Sequence, residues 1–295
     1  MPDAALFTPT QWAFCALVFT CAGLVKGVVG LGLPTLAMAL LALAMPPAQA
    51  AALLILPSLV TNVWQMRPWG TLGPLTRRLG AMQVGVCVGT LAGAWLLGAP
   101  AGAWATLALG VALALYGGWG LAAAQLPRVP PAVQRWLGPL VGALTGGVTA
   151  ATGVFVIPAV PYLQALGLSR DELVQAMGLS FTVSTVALAL GLAANGQYPA
   201  AALGVSALML LPALVGMQVG QWLRLRLSPQ RFRLCFMAAL VLLGGWMDGA
   251  AGVVRRVRAR MAGTPGLARR SGWHRRPPGR CRGHARAGSR HRLRL

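Results

Sequence analysis

A single lysine lies among closely spaced glycines in an apolar stretch near the N-terminus. Lys26 is surrounded by Gly23, Gly27, Gly30 and Gly32. A charge inside an apolar segment is expensive and indicates a functional role, unless the side chain extends from a helix end to the interface. Glycines leave backbone N–H groups free to face an anion. We therefore predict an anion site at Lys26, with extension to the interface as the alternative.

Other side chains that could perform chemistry are scarce before residue 255. That part of the chain contains no His, and its acids are Asp3, Asp171, Glu172 and Asp248. Acid–base or metal chemistry needs clusters of such groups, so an intramembrane enzyme is the least supported function class. We interpret Asp171 as the cap of a helix. The five Cys include no C-x-x-C pair, so we predict no metal site and no cofactor.

The composition is that of a membrane protein. Hydrophobic residues make up 57% of the 295 residues and charged residues 10%, with a mean hydropathy of +0.67. Such a chain has too little polar surface for water, which excludes a soluble enzyme, a disordered regulator and a coiled coil. The net charge of +21 is concentrated in residues 255–295, which contain 14 Arg and no acid. We expect no nucleic-acid partner.

The Arg-rich segment 255–295 has no apolar periodicity and is predicted to be disordered. Two interpretations stay open. It is either a solvated extension, for example one translated out of frame, or a segment that binds anionic lipid. A metal site at Cys281, His284 and His291 is disfavoured, because the surrounding Gly, Pro and Arg provide no scaffold.

Eight apolar regions define the predicted fold, an all-α polytopic membrane protein. Six are long enough for a hydrocarbon core of about 30 Å: 48–66, 79–98, 101–123, 173–194, 200–222 and 234–252. Two longer regions, 11–44 and 136–168, are interrupted by glycines and a proline. We predict that new half-helices begin at Pro34 and Pro158, where helix N-termini favour anions.

The chain also repeats itself. Gly23 and Gly27 match Gly142 and Gly146, and later Gly85-x-x-x-Gly89 matches Gly216-x-x-x-Gly220 in the same order. These matches indicate a duplication. We predict a first transmembrane repeat over 1–123, a cytoplasmic linker over 124–135, a second repeat over 136–254 and the basic tail 255–295. The later glycine pairs are interpreted mainly as packing contacts between helices.

Ten Arg in the apolar part of the chain indicate its orientation. If each interrupted region crosses the membrane once, five Arg fall on each side; if each goes in and returns, or crosses twice, all ten fall on one side. The positive-inside rule favours the second arrangement. The two repeats are then inverted, which is typical of secondary transporters with a substrate site at interrupted helices. This topology places the basic tail outside, against the same rule.

Residues 11–252 resemble the sulfite exporter TauE/SafE family. The resemblance rests on GLVKGVVGLGLP (23–34), on MPPAQAAALLILPSLVTNVWQM (45–66) and on the weaker second copy. It implies a secondary transporter of small sulfur-containing anions, of the sulfite or sulfonate class, in the bacterial cytoplasmic membrane. Lys26 and three threonines in the second copy, Thr145, Thr149 and Thr152, depart from the family pattern.

The predicted substrate-binding residues are polar or glycine residues near the two interruptions. They are Lys26, Gly27, Gly30, Gly32, Asn62, Thr145, Thr149, Thr152, Ser184 and Thr185. The expected partners are a small inorganic or organosulfur anion, the lipid bilayer and, where the chain self-associates, further copies in a homo-oligomer. The alternative function is that of a non-transporting membrane assembly or lipid-interacting protein.

Deleting residues 256–295 is expected to leave membrane insertion and anion flux unchanged, since the tail has no apolar face to join a core. Membrane fractionation and flux measurements on the truncated and full-length chains check this. Loss of either property on truncation would show that the tail has a role.

Overall fold

The computed structural model of the protein describes residues 8–122, 127–198, 200–226 and 228–262. Within these ranges the chain forms ten α-helices and no strand. They are α1 Pro9–Val29, α2 Leu33–Leu41, α3 Pro47–Gln65, α4 Leu72–Leu97, α5 Gly102–Leu121, α6 Pro131–Thr152, α7 Ala159–Ala165, α8 Arg170–Ala194, α9 Ala200–Arg224 and α10 Pro229–Ala262. A short 3-10 turn, Trp69–Thr71, precedes α4. The predicted all-α class is confirmed.

Seven helical segments in the described ranges are long and apolar enough to cross a membrane. They are Pro9–Val29, Pro47–Gln65, Trp69–Leu97, Gly102–Leu121, Arg170–Ala194, Ala202–Arg224 and Gln230–Gly249. The six predicted spans are all among them, and α1 is the seventh. The chain is therefore a multi-pass membrane protein.

The two interrupted regions each form a long helix followed by a short one. The first contains α1 and α2, and Pro34 lies in the first turn of α2. The second contains α6 and α7, and Pro158 is the residue before α7. A short helix therefore begins at or next to each of these two prolines. The long helix α6 begins at Pro131 rather than at 136, because a proline is well suited to a first helical position.

The predicted cap of α8 is wrong. Ser169 precedes the helix, its hydroxyl accepts a hydrogen bond from the Glu172 N–H at 3.3 Å, and the Glu172 carboxylate accepts one from the Ser169 N–H at 2.8 Å. This reciprocal capping box satisfies two free N–H groups at once. Asp171 has no such cap role.

Two glycine seams hold the long helices together, one between α1 and α9 and one between α4 and α6. A Cβ on Gly23 would collide with the Ala213 carbonyl, and one on Gly216 would collide with the Thr20 carbonyl. The second seam has the same pattern, with Gly85 against Pro139 and Gly142 against Met82. The interpretation of the later glycine pairs as packing contacts is confirmed.

Helices α3 and α8 pack antiparallel at the centre. The Gln65 side chain near the end of α3 donates to the Val174 carbonyl near the start of α8, at 3.2 Å. Pro57 interrupts the hydrogen bonds of α3 by removing an N–H, which leaves the Leu53 carbonyl without its helical partner. The Ser206 hydroxyl of α9 donates to that carbonyl at 2.7 Å and accepts from the Leu56 N–H at 3.1 Å.

The segment containing α6 and α7 begins and ends close together. The Val129 N–H, before α6, donates to the Ala165 carbonyl at the end of α7, at 2.9 Å. Arg78 at the start of α4 contacts both ends, because it donates to the Gln134 side chain at 3.1 Å and to the Leu166 carbonyl at 2.9 Å. Several of the arginines of the apolar region therefore lie at one end of the bundle.

The chain divides into a compact unit, Met1–Val253, and a second unit, Val254–Leu295. The described part of the second unit is the last part of α10, which ends at Ala262. The rest of the predicted basic tail, with Cys281, His284 and His291, lies outside the described residues.

Gly216→Ala should destabilise the protein by about 1–3 kcal/mol, because its methyl group overlaps the backbone of α1. Gly204→Ala on the same helix is the matched control, since a Cβ there has open space, and it should be neutral or stabilising by up to about 1 kcal/mol. Thermal unfolding in detergent measures both. Equal unfolding temperatures would contradict the seam.

Candidate functional site

The first helix break lies between α1 and α2. Gly30 ends α1 in the left-handed conformation at φ 81°, and Gly32 precedes α2 at φ 121°, values that residues with a Cβ adopt poorly. The negative end of the α1 dipole and the positive end of the α2 dipole therefore meet within a few residues. No side chain caps the N-terminus of α2, and Pro34 has no N–H to donate. The N–H groups of Leu33 and Thr35 have no helical acceptor.

Lys26 lies in the last turn of α1 and is 4% exposed. Its ammonium donates to the Thr61 hydroxyl of α3 at 3.1 Å and to the Asn62 side-chain oxygen. The side chain thus points to a neighbouring helix and not to the interface. An ammonium has three N–H donors and no acceptor. Two N–H groups of Lys26 donate to neutral oxygens. Among the described residues, no carboxylate contacts this ammonium.

The face of α3 that meets Lys26 carries further polar atoms. Because the Asn62 oxygen accepts from Lys26, its amide nitrogen points elsewhere, and this nitrogen has no partner within the described part of the chain. The Ser58 hydroxyl and the Gln65 side-chain oxygen are also buried without a partner there. Gln65 donates to the Gly30 carbonyl at 3.1 Å, which ties the end of α3 to the break. Buried polar groups without partners are costly, so these groups are candidates for contact with a ligand.

The predicted glycines near the first break have different surroundings. Gly27 faces α9, where a Cβ would collide with the backbone of Met217 and Gly220, so the structure gives it a packing role. Gly30 has open space around its Cβ position. Gly32 faces the Val25 side chain. Contact of any of these glycines with an anion stays a prediction.

The second break follows α6. Gly153 ends this helix at φ 72°, and its N–H donates to the Thr149 carbonyl at 2.7 Å. The Thr152 hydroxyl accepts from the Val154 N–H at 3.1 Å and thereby caps a backbone group that follows the helix. The hydroxyls of Thr145 and Thr149 donate to the carbonyls one turn earlier, both at 2.7 Å. Helix hydroxyls commonly make this bond, and their lone pairs stay free.

The two predicted polar positions on α8 differ from each other. Thr185 donates to the Phe181 carbonyl at 2.6 Å, like the threonines of α6. Ser184 is 1% exposed, and its hydroxyl has no partner among the described side chains and backbone groups.

Apart from Gly27, which packs against α9, the predicted residues fall into two groups. Gln65 at the end of α3 contacts the first break, whereas Gly153 of the second break lies against Ala51 near the start of α3. These α3 positions are 14 residues apart, or about 21 Å along the helix. Lys26, Gly30, Gly32 and Asn62 surround the first break. Thr145, Thr149 and Thr152 lie on the helix that ends at the second break, and Ser184 and Thr185 lie on α8, which packs against that helix.

A cavity of about 790 Å³ opens at the arginine-rich end of the bundle. Arg67 and Arg78 line it together with Asp171, Glu172 and Gln175. Val174 also lines this cavity, and its carbonyl accepts from the same Gln65 amide that contacts Gly30. The Gln65 side chain therefore lies between the Val174 backbone, at the cavity, and the Gly30 carbonyl, at the first break.

The sequence marks Thr61 and Asn62 as a polar pair, but sequence reasoning did not predict the contact of Thr61 with Lys26, and it missed Ser58. The signal was present, since Ser58, Asn62 and Gln65 recur at helical spacing and share one face of α3. The cavity was not predictable, because its lining comes from the segment before α4, from α4 and from the start of α8, which are far apart in the sequence.

Comparison with protein families gives a match to Sulfite exporter TauE/SafE over residues 15–247. Neither the curated proteins nor the solved structures provide a significant match. The matched range includes both helix breaks, both glycine seams and the Lys26 contacts. The chain belongs to the sulfite exporter TauE/SafE family.

Proposed function

We propose that this protein is a secondary transporter that carries small sulfur-containing anions, of the sulfite or sulfonate class, across the bacterial cytoplasmic membrane. The observation that carries the proposal is the buried ammonium of Lys26, which has only neutral oxygens as partners in the described structure. A buried charge without a counter-ion is strongly unfavourable, so an anion that binds beside it repays part of that cost.

The groups around Lys26 suit an anion. The Asn62 amide nitrogen and the remaining ammonium N–H are donors, and so are the free N–H groups at the start of α2. A sulfite or sulfonate group presents three oxygens to such donors, and charge-assisted hydrogen bonds are the strong ones. The family match adds sulfite as the type substrate, and membership makes transport the expected activity.

The arginine-lined cavity supplies the route to this site. Arg67 and Arg78 raise the local concentration of anions at its mouth. Gln65 separates the cavity from the first break and is held by two carbonyls, those of Gly30 and Val174. A change in these two hydrogen bonds would connect the cavity to Lys26.

The two halves form an inverted repeat in this proposal. Helices α1 to α5 and α6 to α10 follow the same order of one long, one short and three long elements. The seam of α1 with α9 has its counterpart in the seam of α6 with α4. With the arginine-rich end in the cytoplasm, alternating access would move one half against the other around the breaks.

Lys26→Met keeps the side-chain bulk and removes the charge. We expect the anion affinity to fall by about 1.5–3 kcal/mol, which is roughly ten- to a hundredfold. Lys26→Arg should lose affinity in part, since a planar guanidinium does not fit a site formed around an ammonium. Anion flux and binding in proteoliposomes, screened over sulfite, sulfate, thiosulfate, sulfonates and small carboxylates, measure both variants.

Thr182→Ala is the matched control on α8, because the Thr182 hydroxyl donates only to the Gly178 carbonyl of its own helix. It should behave as the unmodified protein. Unchanged affinity in Lys26→Met would remove Lys26 from the site. No flux of any anion in the unmodified protein would favour a non-transporting membrane assembly.

Orientation is testable with single cysteines in a cysteine-free chain. Gly73→Cys and Ser228→Cys, both at exposed positions beside arginines, should resist a membrane-impermeant maleimide in intact cells. Ala101→Cys, in the loop between α4 and α5 that the proposed topology places outside, should react. Opposite labelling at positions 73 and 228 would contradict the inverted repeat, because the arginines would then lie on both sides.

A further inference from the structure

The two long helices that precede the breaks end in the same way. Gly30 and Gly153 are both left-handed, and each donates its N–H to the carbonyl four residues earlier, that of Lys26 or Thr149. Thr61 follows Lys26 by 35 residues, and Ser184 follows Thr149 by the same number. Measured from the breaks, Thr149 and Ser184 are therefore the counterparts of Lys26 and Thr61.

Aligning the two halves by their glycine seams, rather than by their helix breaks, pairs different residues. The break follows three residues after Gly27 but seven residues after Gly146, so α6 continues for one more helical turn. From the seams alone, Lys26 aligns with Thr145. Contacts at a helix end depend on the distance from that end, so the register from the breaks decides which residues have equivalent surroundings.

The first of these equivalent positions holds a fixed cation. The Lys26 ammonium lies at the negative end of the α1 dipole and is bound by two oxygens of α3. A single positive charge, helix carbonyls and neutral side-chain oxygens are the components of an alkali-cation site. In the first half, the positive charge is the ammonium of Lys26, which is part of the chain itself.

The second position has polar residues at the corresponding places and no charge. Thr149 takes the position of the lysine. The last turn of α6 contains no basic residue that would neutralise the negative end of the helix dipole. The hydroxyls of Thr149 and Thr185 donate to carbonyls of their own helices and offer lone pairs. Ser184, 1% exposed, has no hydrogen-bond partner in the described residues. Leu188, the counterpart of Gln65, supplies no competing donor.

We propose that the end of α6 binds one alkali-metal cation, with Na⁺ as the first probe, through oxygens of Thr149, Ser184 and Thr185. Neutral oxygens and a helix C-terminus form the type of site that holds a coupling cation in transporters with interrupted helices. The cation fills in the second half the place that the Lys26 ammonium fills in the first. Only the coupling role rests on the proposed transport function, because cation binding is measurable without any anion.

The test is the thermal unfolding of the full-length protein in detergent, with NaCl or KCl replacing choline chloride at constant ionic strength. A ligand that binds the folded state raises the unfolding temperature in a saturable manner. We expect this for at least one alkali cation. The apparent dissociation constant should rise by about tenfold or more in Ser184→Ala, the loss of one ligand. That variant should fold, since it removes a hydroxyl that has no partner.

Thr149→Lys is the stronger variant because it rebuilds the first site in the second. Its ammonium should occupy the cation position, so the unfolding temperature becomes independent of Na⁺ and K⁺. Thr182→Ala should keep the cation response of the unmodified protein. Equal unfolding temperatures in choline and in both alkali salts, or an undiminished response in Ser184→Ala and Thr149→Lys, would overturn the proposal.

Flux measurements separate this inference from the proposed transport. With equal anion concentrations on both sides of a proteoliposome, an inward gradient of the stabilising cation should drive net anion movement in the unmodified protein and not in Thr149→Lys. Cation-dependent stability without any anion flux would overturn the transport function and leave the cation site standing. Anion flux without any cation effect on stability would overturn the cation site and leave the transport function standing.

Discussion

An interrupted helix inside a membrane must be enclosed by protein, and the rest of this structure follows from that requirement. Lipid supplies no hydrogen bonds, so backbone groups freed by a break need protein partners or a ligand. The partners are specific here: Gln65 holds the Gly30 carbonyl, and Thr152 caps the Val154 N–H. The glycine seams bring α9 against α1 and α4 against α6 closely enough to exclude lipid. The helix breaks therefore depend both on the buried polar residues and on the glycine seams.

The same requirement explains how polar residues are distributed. Most buried hydroxyls donate within their own helix, as Thr145 and Thr185 do, and contribute no exposed donor. Among the exceptions are two of the predicted site residues. The Asn62 nitrogen and the Ser184 hydroxyl have no partner in the described structure, and they differ in chemistry. The first lies beside the Lys26 ammonium, and the second lies on α8, which packs against the helix that ends at the second break.

Much of this fold could be predicted from the sequence, because hydrophobic length and proline position act locally. The spans, the half-helix starts at Pro34 and Pro158, and the packing of Gly85 and Gly216 all follow from such signals. The site was only partly accessible. Lys26 is conspicuous by its charge, but its contact with Thr61 depends on how α1 and α3 meet. The packing role of Gly27 and the separation of the two clusters depend on tertiary contacts that spacing does not encode.

The contact between α3 and α9 links two residues that are far apart in the chain. Pro57 removes a backbone donor in α3, and Ser206 of α9 restores a partner for the Leu53 carbonyl. Each residue alone is a defect: the proline leaves a carbonyl unpaired, and the serine places a hydroxyl in an apolar interface. Selection should therefore keep the two residues together or lose them together. A relative that loses Pro57 regains the helical hydrogen bond and relaxes the selection on Ser206, so the two positions should covary across the family.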